Sequence, residues 1–279
     1  APPPTGGRML RTAAAAAAEG AEAAWQRAVA DFRSLDAAAV VHGSRATGLA
    51  REDSDVDVLT SQPLQGLAQA LQREDPPRFS VLENVRWAKV PRLILRHVGT
   101  GTEVDAICGS ADSGAALERD EVVRVLLHQE PRARELALLI GGWARAHEGA
   151  MPPRLGFPNT YTFRLTGFHY LMIRPSGPLL PPLAEAGAAL AAFRGPRPRA
   201  PASAEELFGE WLARLAAAED GLWADLRQPW ASGAGWRVVD PVSGQSLTRF
   251  RGSQPSVIAE LARRGRGAGD SRTSAVKGR

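Results

Sequence analysis

HGSRATGLAREDSDVDVL, residues 42–59, holds a Gly-Ser pair, a short glycine-bearing spacer and two aspartates separated by one valine. It lies between two apolar runs. Residues 37–41 read as a buried strand ending at His42-Gly43, and residues 54–59 alternate polar and apolar as a second strand does. Residues two apart on a strand share a face, so Asp55 and Asp57 project together while Val56 and Val58 turn to the core. Neighbouring ionised carboxylates repel, and a hard cation such as Mg2+ or Mn2+ relieves that repulsion. Gly43 lets a phosphate approach the backbone, and Ser44 adds a hydroxyl at the start of a short turn or helix over 44–50. Read alone, the aspartate pair fits two solvent-facing residues on an edge strand better than it fits a metal site.

A third carboxylate bears on that choice. The run RLILRHV (92–98), the turn GTGT (99–102) and the returning run EVDAIC (103–108) predict a hairpin. Asp105 sits inside that last apolar strand, where burial without a partner is costly. Three carboxylates can hold two ions that clamp the attacking and leaving oxygens of a phosphoryl transfer. The alternative is a strand with one wet face that simply exposes Asp105.

The surrounding pattern predicts an α+β chain. A helix is expected over 12–33, where an alanine run favours it. Leu64, Leu67 and Leu71 mark a helix over 64–73 that Pro76-Pro77 ends, and a strand follows within 79–90. From residue 113 onwards the chain reads as helical. Helices are expected over 117–128, 132–148 and 160–173, with a turn-rich break at 175–182. Further segments are a helix over 184–193, an extended GPRPRAP linker at 195–201, and a helix begun by Ser203 with Glu206 in capping-box position. Leu222 and Trp223 read as a continuation of that helix. A short strand at 236–239 and a last helix at 256–264 complete the pattern. The domain boundaries that follow are 12–112 for the mixed sheet, with its N-terminal helix available to the second domain, 113–264 for the helical part, and a basic disordered tail at 265–279.

Composition narrows the function classes. The single cysteine, Cys108, excludes an internal disulfide and a multi-thiolate zinc site. No apolar run approaches the ~20 residues of a membrane helix. Residues 249–279 carry eight Arg/Lys against two acidic residues, a net of +6 within a chain of +4, so the rest is near neutral. A basic tail suits a polyanion such as RNA, and equally a solvated tail.

A strand ending in Gly-Ser, a spacer, D-x-D and a later single aspartate after a hairpin resembles the DNA polymerase β-like nucleotidyltransferase superfamily. GWARAHEG (142–149), LGFPNTYTFRLTGFHYLM (155–172) and PLLPPL (178–183) resemble, more narrowly, the non-canonical poly(A) polymerases and terminal uridylyltransferases, and WARAH the mitochondrial poly(A) polymerase branch. VVDPVSGQSLTR (238–249) looks like that family's late segment. The resemblance covers about residues 35–264.

The resemblance implies a mixed-sheet palm domain, a helical poly(A)-polymerase-associated domain and a cleft between them. It implies that Gly43 and Ser44 hold phosphates, and that Asp55, Asp57 and Asp105 bind Mg2+ or Mn2+, with Asp105 assisting deprotonation of an RNA 3′-hydroxyl. Arg145 meets the triphosphate, Asn159 the ribose or base edge, Thr160 the phosphates, and Tyr161 stacks on the base. Without the resemblance, Tyr161 reads as a core aromatic, Asn159 as a helix N-cap and Arg145 as a surface arginine. The implied activity is template-independent addition of AMP or UMP from ATP or UTP to an RNA 3′ end, with no membrane partner. The alternative is an inactive homologue serving as a subunit of a larger RNA–protein complex such as a mitochondrial ribosome. The branch implies a mitochondrial location, with the cytoplasm or the nucleus as alternatives; the Arg/Ala-rich start fits a transit-peptide remnant or, preferably, the frayed start of the first helix. The chain departs from the family at Gly141, where a basic residue is usual, at Val242, usually phenylalanine, and at Gln245-Ser246, near the usual His-Asn.

Overall fold

The computed structural model describes residues 6–87, 90–109, 111–183, 202–233, 235–248, 250 and 253–276. The chain divides into two compact units between Glu121 and Val122. That division falls about nine residues after the expected boundary, because helix α4 (Ala111–Gln129) runs unbroken through it.

The first unit opens with helix α1 (Gly6–Leu35). Next come β1 (Val40–His42), α2 (Gly43–Thr47), β2 (Val56–Thr60), α3 (Leu64–Gln72), β3 (Phe79–Val85), β4 (Arg92–His97) and β5 (Glu103–Cys108). The five strands form one mixed sheet in the order β1-β2-β5-β4-β3. β2 and β5 run parallel at its centre, and the other neighbouring pairs are antiparallel. Period-two patterning divides its faces. Val56, Val58, Leu93, Leu95, Val104 and Ala106 are buried with Ala28, Val29 and Phe32 of α1 and Leu67, Ala68 and Leu71 of α3. The second half of α1 thus packs on the sheet of its own unit. Asp57 and Asp105 occupy the alternate positions, on the other face.

Asp36 fixes the turn out of α1. Its carboxylate, 4% exposed, accepts hydrogen bonds from Thr60 Oγ1 (2.6 Å), Ser61 N (2.7 Å), Ser61 Oγ (2.8 Å) and Ala38 N (3.1 Å). Those donors outweigh burial and hold its pKa below the usual carboxylate range.

The second unit is built on α5 (Pro131–Ala146), α6 (Thr160–Ile173), α7 (Ala204–Ala216) and α8 (Gln254–Val276). α7 starts as its sequence predicts. Ser203 Oγ accepts from Glu206 N (3.2 Å), and Glu206 Oε2 accepts from Ser203 N (2.8 Å). α5 and α6 pack closely, since Gly167 leaves no atom where a Cβ would collide with the Ile140 side chain. Trp211, fully buried, stands edge-on to Trp143 at 5.4 Å between ring centroids, and its Nε1 donates to Thr166 Oγ1 (2.9 Å). Trp211→Ala should therefore cost about 3–5 kcal/mol of stability, read as a lowered denaturation midpoint at unchanged slope.

Two elements differ from expectation. Leu222 and Trp223 belong to strand β6 (Gly221–Ala224), paired in parallel with β7 (Gly235–Val238), and do not continue α7. Asp220-Gly221 breaks the helical pattern, and β7 supplies the ladder that makes a strand worthwhile. The last helix, expected to stop at 264, continues to Val276, so the region expected as a disordered tail is helical to that point. No proline follows Pro255, so nothing in the sequence removes a backbone donor from the later turns. The expected helix over 184–193, the GPRPRAP linker and residues 277–279 lie outside the described residues. Among the described residues, no helix is long and apolar enough to cross a membrane.

Candidate active site

The sheet brings Asp57 and Asp105 together. They are direct partners in the parallel β2–β5 ladder, so their side chains rise from neighbouring strands on the same face. Val56 and Val58 on one strand, and Val104 and Ala106 on the other, are buried behind them. Asp55, exposed, lies just before β2.

The two ladder aspartates are electrostatically stressed. Burial first, then Asp55, Asp105 and Asp120, pushes the Asp57 carboxyl up to about 7. Burial also raises Asp105, reinforced by Asp55 and Glu83 and opposed by Arg92. Arg92 Nη1 lies 3.2 Å from Asp105 Oδ2, while Asp105 Oδ1 is buried with no hydrogen-bond partner among the described residues. A buried carboxylate oxygen left unpaired is costly and invites a cation. Oxygen-only donors suit a hard dication such as Mg2+ or Mn2+, so the donor set fits that class of ion. Among the described residues, however, no three His, Cys, Asp or Glu side chains are gathered so as to hold an ion as they stand.

Gly43 is fixed by Asp57. Its φ is +71°, and a Cβ there would overlap Asp57 Oδ2. The backbone N–H of Gly43, expected to face a phosphate, donates to Asp120 Oδ2 at 2.7 Å. Ser44 follows in α2, half-buried. His42, paired with Asp57 across the β1–β2 ladder, is pushed down to about 4 by burial and is neutral at physiological pH.

Two contributors in this unit went unread in the sequence. Asp120 of α4 is buried, 6% exposed. The clue was a charge three residues before buried Val123, on the helix's apolar stripe. Arg45 is the other. Its Nη2 donates to Ser54 O (2.6 Å) and Glu52 O (3.4 Å), and its guanidinium lies over the Trp25 ring at 5.6 Å. It thereby ties α2 to the loop that delivers Asp55 and Asp57. No pattern in the sequence marks that bond, since it depends on how the loop folds back.

The second unit holds the remaining expected residues. Arg145 is exposed near the end of α5, one residue after buried Ala144. Asn159 is the N-cap of α6: its Oδ1 accepts from Thr162 N (2.9 Å) and Thr162 Oγ1 (2.8 Å). Its carbonyl is therefore committed to the helix, leaving the amide nitrogen for other contacts. Thr160 and Tyr161, both half-buried, form the first turn of α6. The late VVDPVSGQS segment is a turn centred on Asp240, 1% exposed, which accepts from Val242 N (3.1 Å) and Ser243 Oγ (2.8 Å).

Residues 24–90 match the nucleotidyltransferase domain family. The matched stretch lies within the first unit. Gly43, Ser44, Asp55 and Asp57 lie within the matched residues of that domain, and Asp105 lies beyond them. Among solved structures, mtPAP in complex with GTP is similar at a TM-score of 0.67 and 14% identity, over 84% of this chain and 60% of that one. Cid1 poly(U) polymerase is similar too. A variant of it bound to MgATP gives a TM-score of 0.71 at 16% identity over 90% of this chain and 88% of that one. A second Cid1 structure gives 0.67 at 17% over 86% of each. The chain thus spans about 60% of the length of mtPAP. At these identities the likeness concerns the fold, and the α+β fold is that of the poly(A) and poly(U) polymerases. No curated protein matches the chain by sequence.

Proposed function

We propose that this nucleotidyltransferase adds AMP or UMP from ATP or UTP to the 3′ end of an RNA without a template. The observation that carries the proposal is the Asp57–Asp105 pair, in register on the polar face of a nucleotidyltransferase sheet and with one buried oxygen unpaired. Such a pair is unfavourable in the fold alone and favourable once it ligates a cation. The likeness to mtPAP and Cid1 supports the class of reaction, and the +6 C-terminal segment supports RNA as acceptor.

Asp57, Asp105 and Asp55 hold Mg2+ or Mn2+. When bound, such ions supply charge that stabilises the attacking and leaving oxygens of phosphoryl transfer. Asp105 also accepts the proton of the RNA 3′-hydroxyl. Ser44 donates its hydroxyl to a phosphate oxygen. Gly43 serves the phosphates with its N–H only when Asp120 releases it; in the observed arrangement its contribution is the absence of a side chain. In the second unit, Arg145 and Thr160 take phosphate oxygens, Asn159 offers its amide nitrogen to the ribose or base edge, and Tyr161 gives the base a flat face.

The test is extension of a labelled RNA oligonucleotide with each NTP supplied separately, with Mg2+ or Mn2+. Addition of A or U to the 3′ end is the expected result. A second reading, an inactive homologue in an RNA–protein complex, draws on the Arg92–Asp105 ion pair, which occupies one of the three carboxylates. It predicts a folded protein that extends no RNA and binds no NTP with either metal.

A further inference from the structure

We propose that the tip of the β3–β4 hairpin is a docking surface for single-stranded RNA, on which the Trp87 ring stacks a base upstream of the 3′ end and Arg86 meets the backbone phosphates. The inference rests on the RNA-extending reading above and adds to it a contact on the acceptor strand.

Trp87 carries the argument. It stands in the connection between β3 and β4 and is 85% exposed, the most exposed of the large apolar residues among those described. Tryptophan is highly buried on average, so an indole left almost wholly in water is unusual in a folded chain. Its flat face suits a partner that is itself flat, and every nucleic-acid base has such a face.

The local charge names the class of partner. Residues 86–96, RWAKVPRLILR, carry four Arg/Lys and no acidic residue, in a chain whose net charge is +4. Arg86 is exposed, donates from Nε to Asn84 Oδ1 at 3.3 Å and forms no ion pair among the described residues. An exposed aromatic beside positive charge is the combination that binds single strands without regard to sequence. A protein partner is less well served. The exposed Val81 and Leu82 lie where the β3–β4 register shifts between Val81 and Glu83, and such a bulge interrupts the edge that an added strand would need. Val90 adds one further apolar side chain at the tip, far short of the ~800 Å2 per partner of a stable protein interface.

The surface is continuous with the candidate active site. Arg92, at the start of β4, lies on the same face of the sheet as Asp105, with Nη1 3.2 Å from Asp105 Oδ2. It pairs with Ile107, two residues beyond Asp105 on β5, about 7 Å along the strand. Trp87 is five residues before Arg92, at most about 18 Å of chain. An RNA whose 3′-hydroxyl lies at Asp105 therefore brings its upstream nucleotides within reach of the hairpin tip.

The test uses the full chain and a labelled single-stranded RNA oligonucleotide, with Kd read by fluorescence anisotropy in the absence of NTP, together with steady-state nucleotide incorporation. Trp87→Ala should raise both Kd and KM for RNA about tenfold, with KM for NTP changed less than threefold. Trp87→Phe keeps an aromatic face and should lie within threefold of the parent. Arg86→Met should reduce the slope of log affinity against log salt by about 0.7, the value of one phosphate contact on a single strand. Duplex RNA of the same sequence has its bases already stacked, so Trp87→Ala should leave its binding unchanged. Thermal melting confirms that each variant is folded. A folded Trp87→Ala protein with parental affinity for the single strand would overturn the inference, and so would an equal loss for the duplex. Sedimentation velocity covers the other occupant: a dimer that Trp87→Ala dissociates, with RNA affinity kept, assigns the tip to a second copy of the chain and overturns the inference as well. If Trp87→Ala loses RNA affinity but the parent extends no RNA, the docking surface stands and the proposed reaction fails. If the parent extends RNA and Trp87→Ala has an unchanged Kd and KM for it, the reaction stands and the docking surface fails.

Discussion

Asp57→Asn should abolish nucleotide transfer, by a thousandfold or more, and make the metal-free protein more stable above pH 7. Both effects come from one carboxylate. Burial and the carboxylates of Asp55, Asp105 and Asp120 push Asp57 up to about 7, from 3.8 in the unfolded chain. A folded-state pKa above the unfolded value means that the protonated form favours the fold. That contribution is complete below about pH 4 and is lost as pH rises through 7. The shift corresponds to a cost on the order of 4 kcal/mol at pH 8. Asparagine carries no charge and avoids it. The melting temperature of the metal-free parent should fall between pH 5 and pH 8, and that of Asp57→Asn should fall much less. Adding Mg2+ or Mn2+ at pH 8 should restore the parent and leave the variant unchanged. A residue kept for stability would behave in the opposite way, since its removal would lower the melting temperature at every pH.

The second large effect is expected at Gly43. Its φ of +71° strains any side chain, and a Cβ would overlap Asp57 Oδ2. Gly43→Ala should cost roughly 1–3 kcal/mol from the backbone alone. It should also displace Asp57, reducing transfer at least a hundredfold in protein that still folds. The control is Gly48→Ala. Gly48 has nearly the same φ, +72°, with nothing within 4 Å of a Cβ, so it carries the backbone strain without the collision. Comparable melting temperatures with activity lost only at position 43 would assign the loss to the aspartate. Equal activity loss at both positions would assign it to strain.

The carboxylate arrangement was legible in the sequence because strands have period two. D-x-D within an apolar run fixes Asp57 opposite Val56 and Val58, and EVDAIC does the same for Asp105. What periodicity could not give is their register. Asp57 meets Asp105 because β2 and β5 pair in parallel across a crossover of α3, β3 and β4, a long-range choice with no local signature. Hydrogen-bond partners were less legible still. Gly43 N–H is held by Asp120, 77 residues away, and Asp105 is engaged by Arg92 through side-chain reach. The approach of Arg164 to Gly141 was hidden for the same reason. Gly141 looked like a lost cation, whereas the space it leaves is filled by an arginine from the next helix. Strand β6 was misread because Leu222-Trp223 extends the apolar spacing of α7, and only the ladder to β7 decides between the two. At Asn159 the local reading of a helix N-cap agrees with its side-chain hydrogen bonds.

The most direct measurement is incorporation of labelled AMP or UMP into an RNA 3′ end by the parent, Asp57→Asn and Asp105→Asn, side by side with Mn2+ at equal folded concentration. The account predicts extension by the parent and none detectable by either variant. Extension by either variant at the parental rate would contradict it.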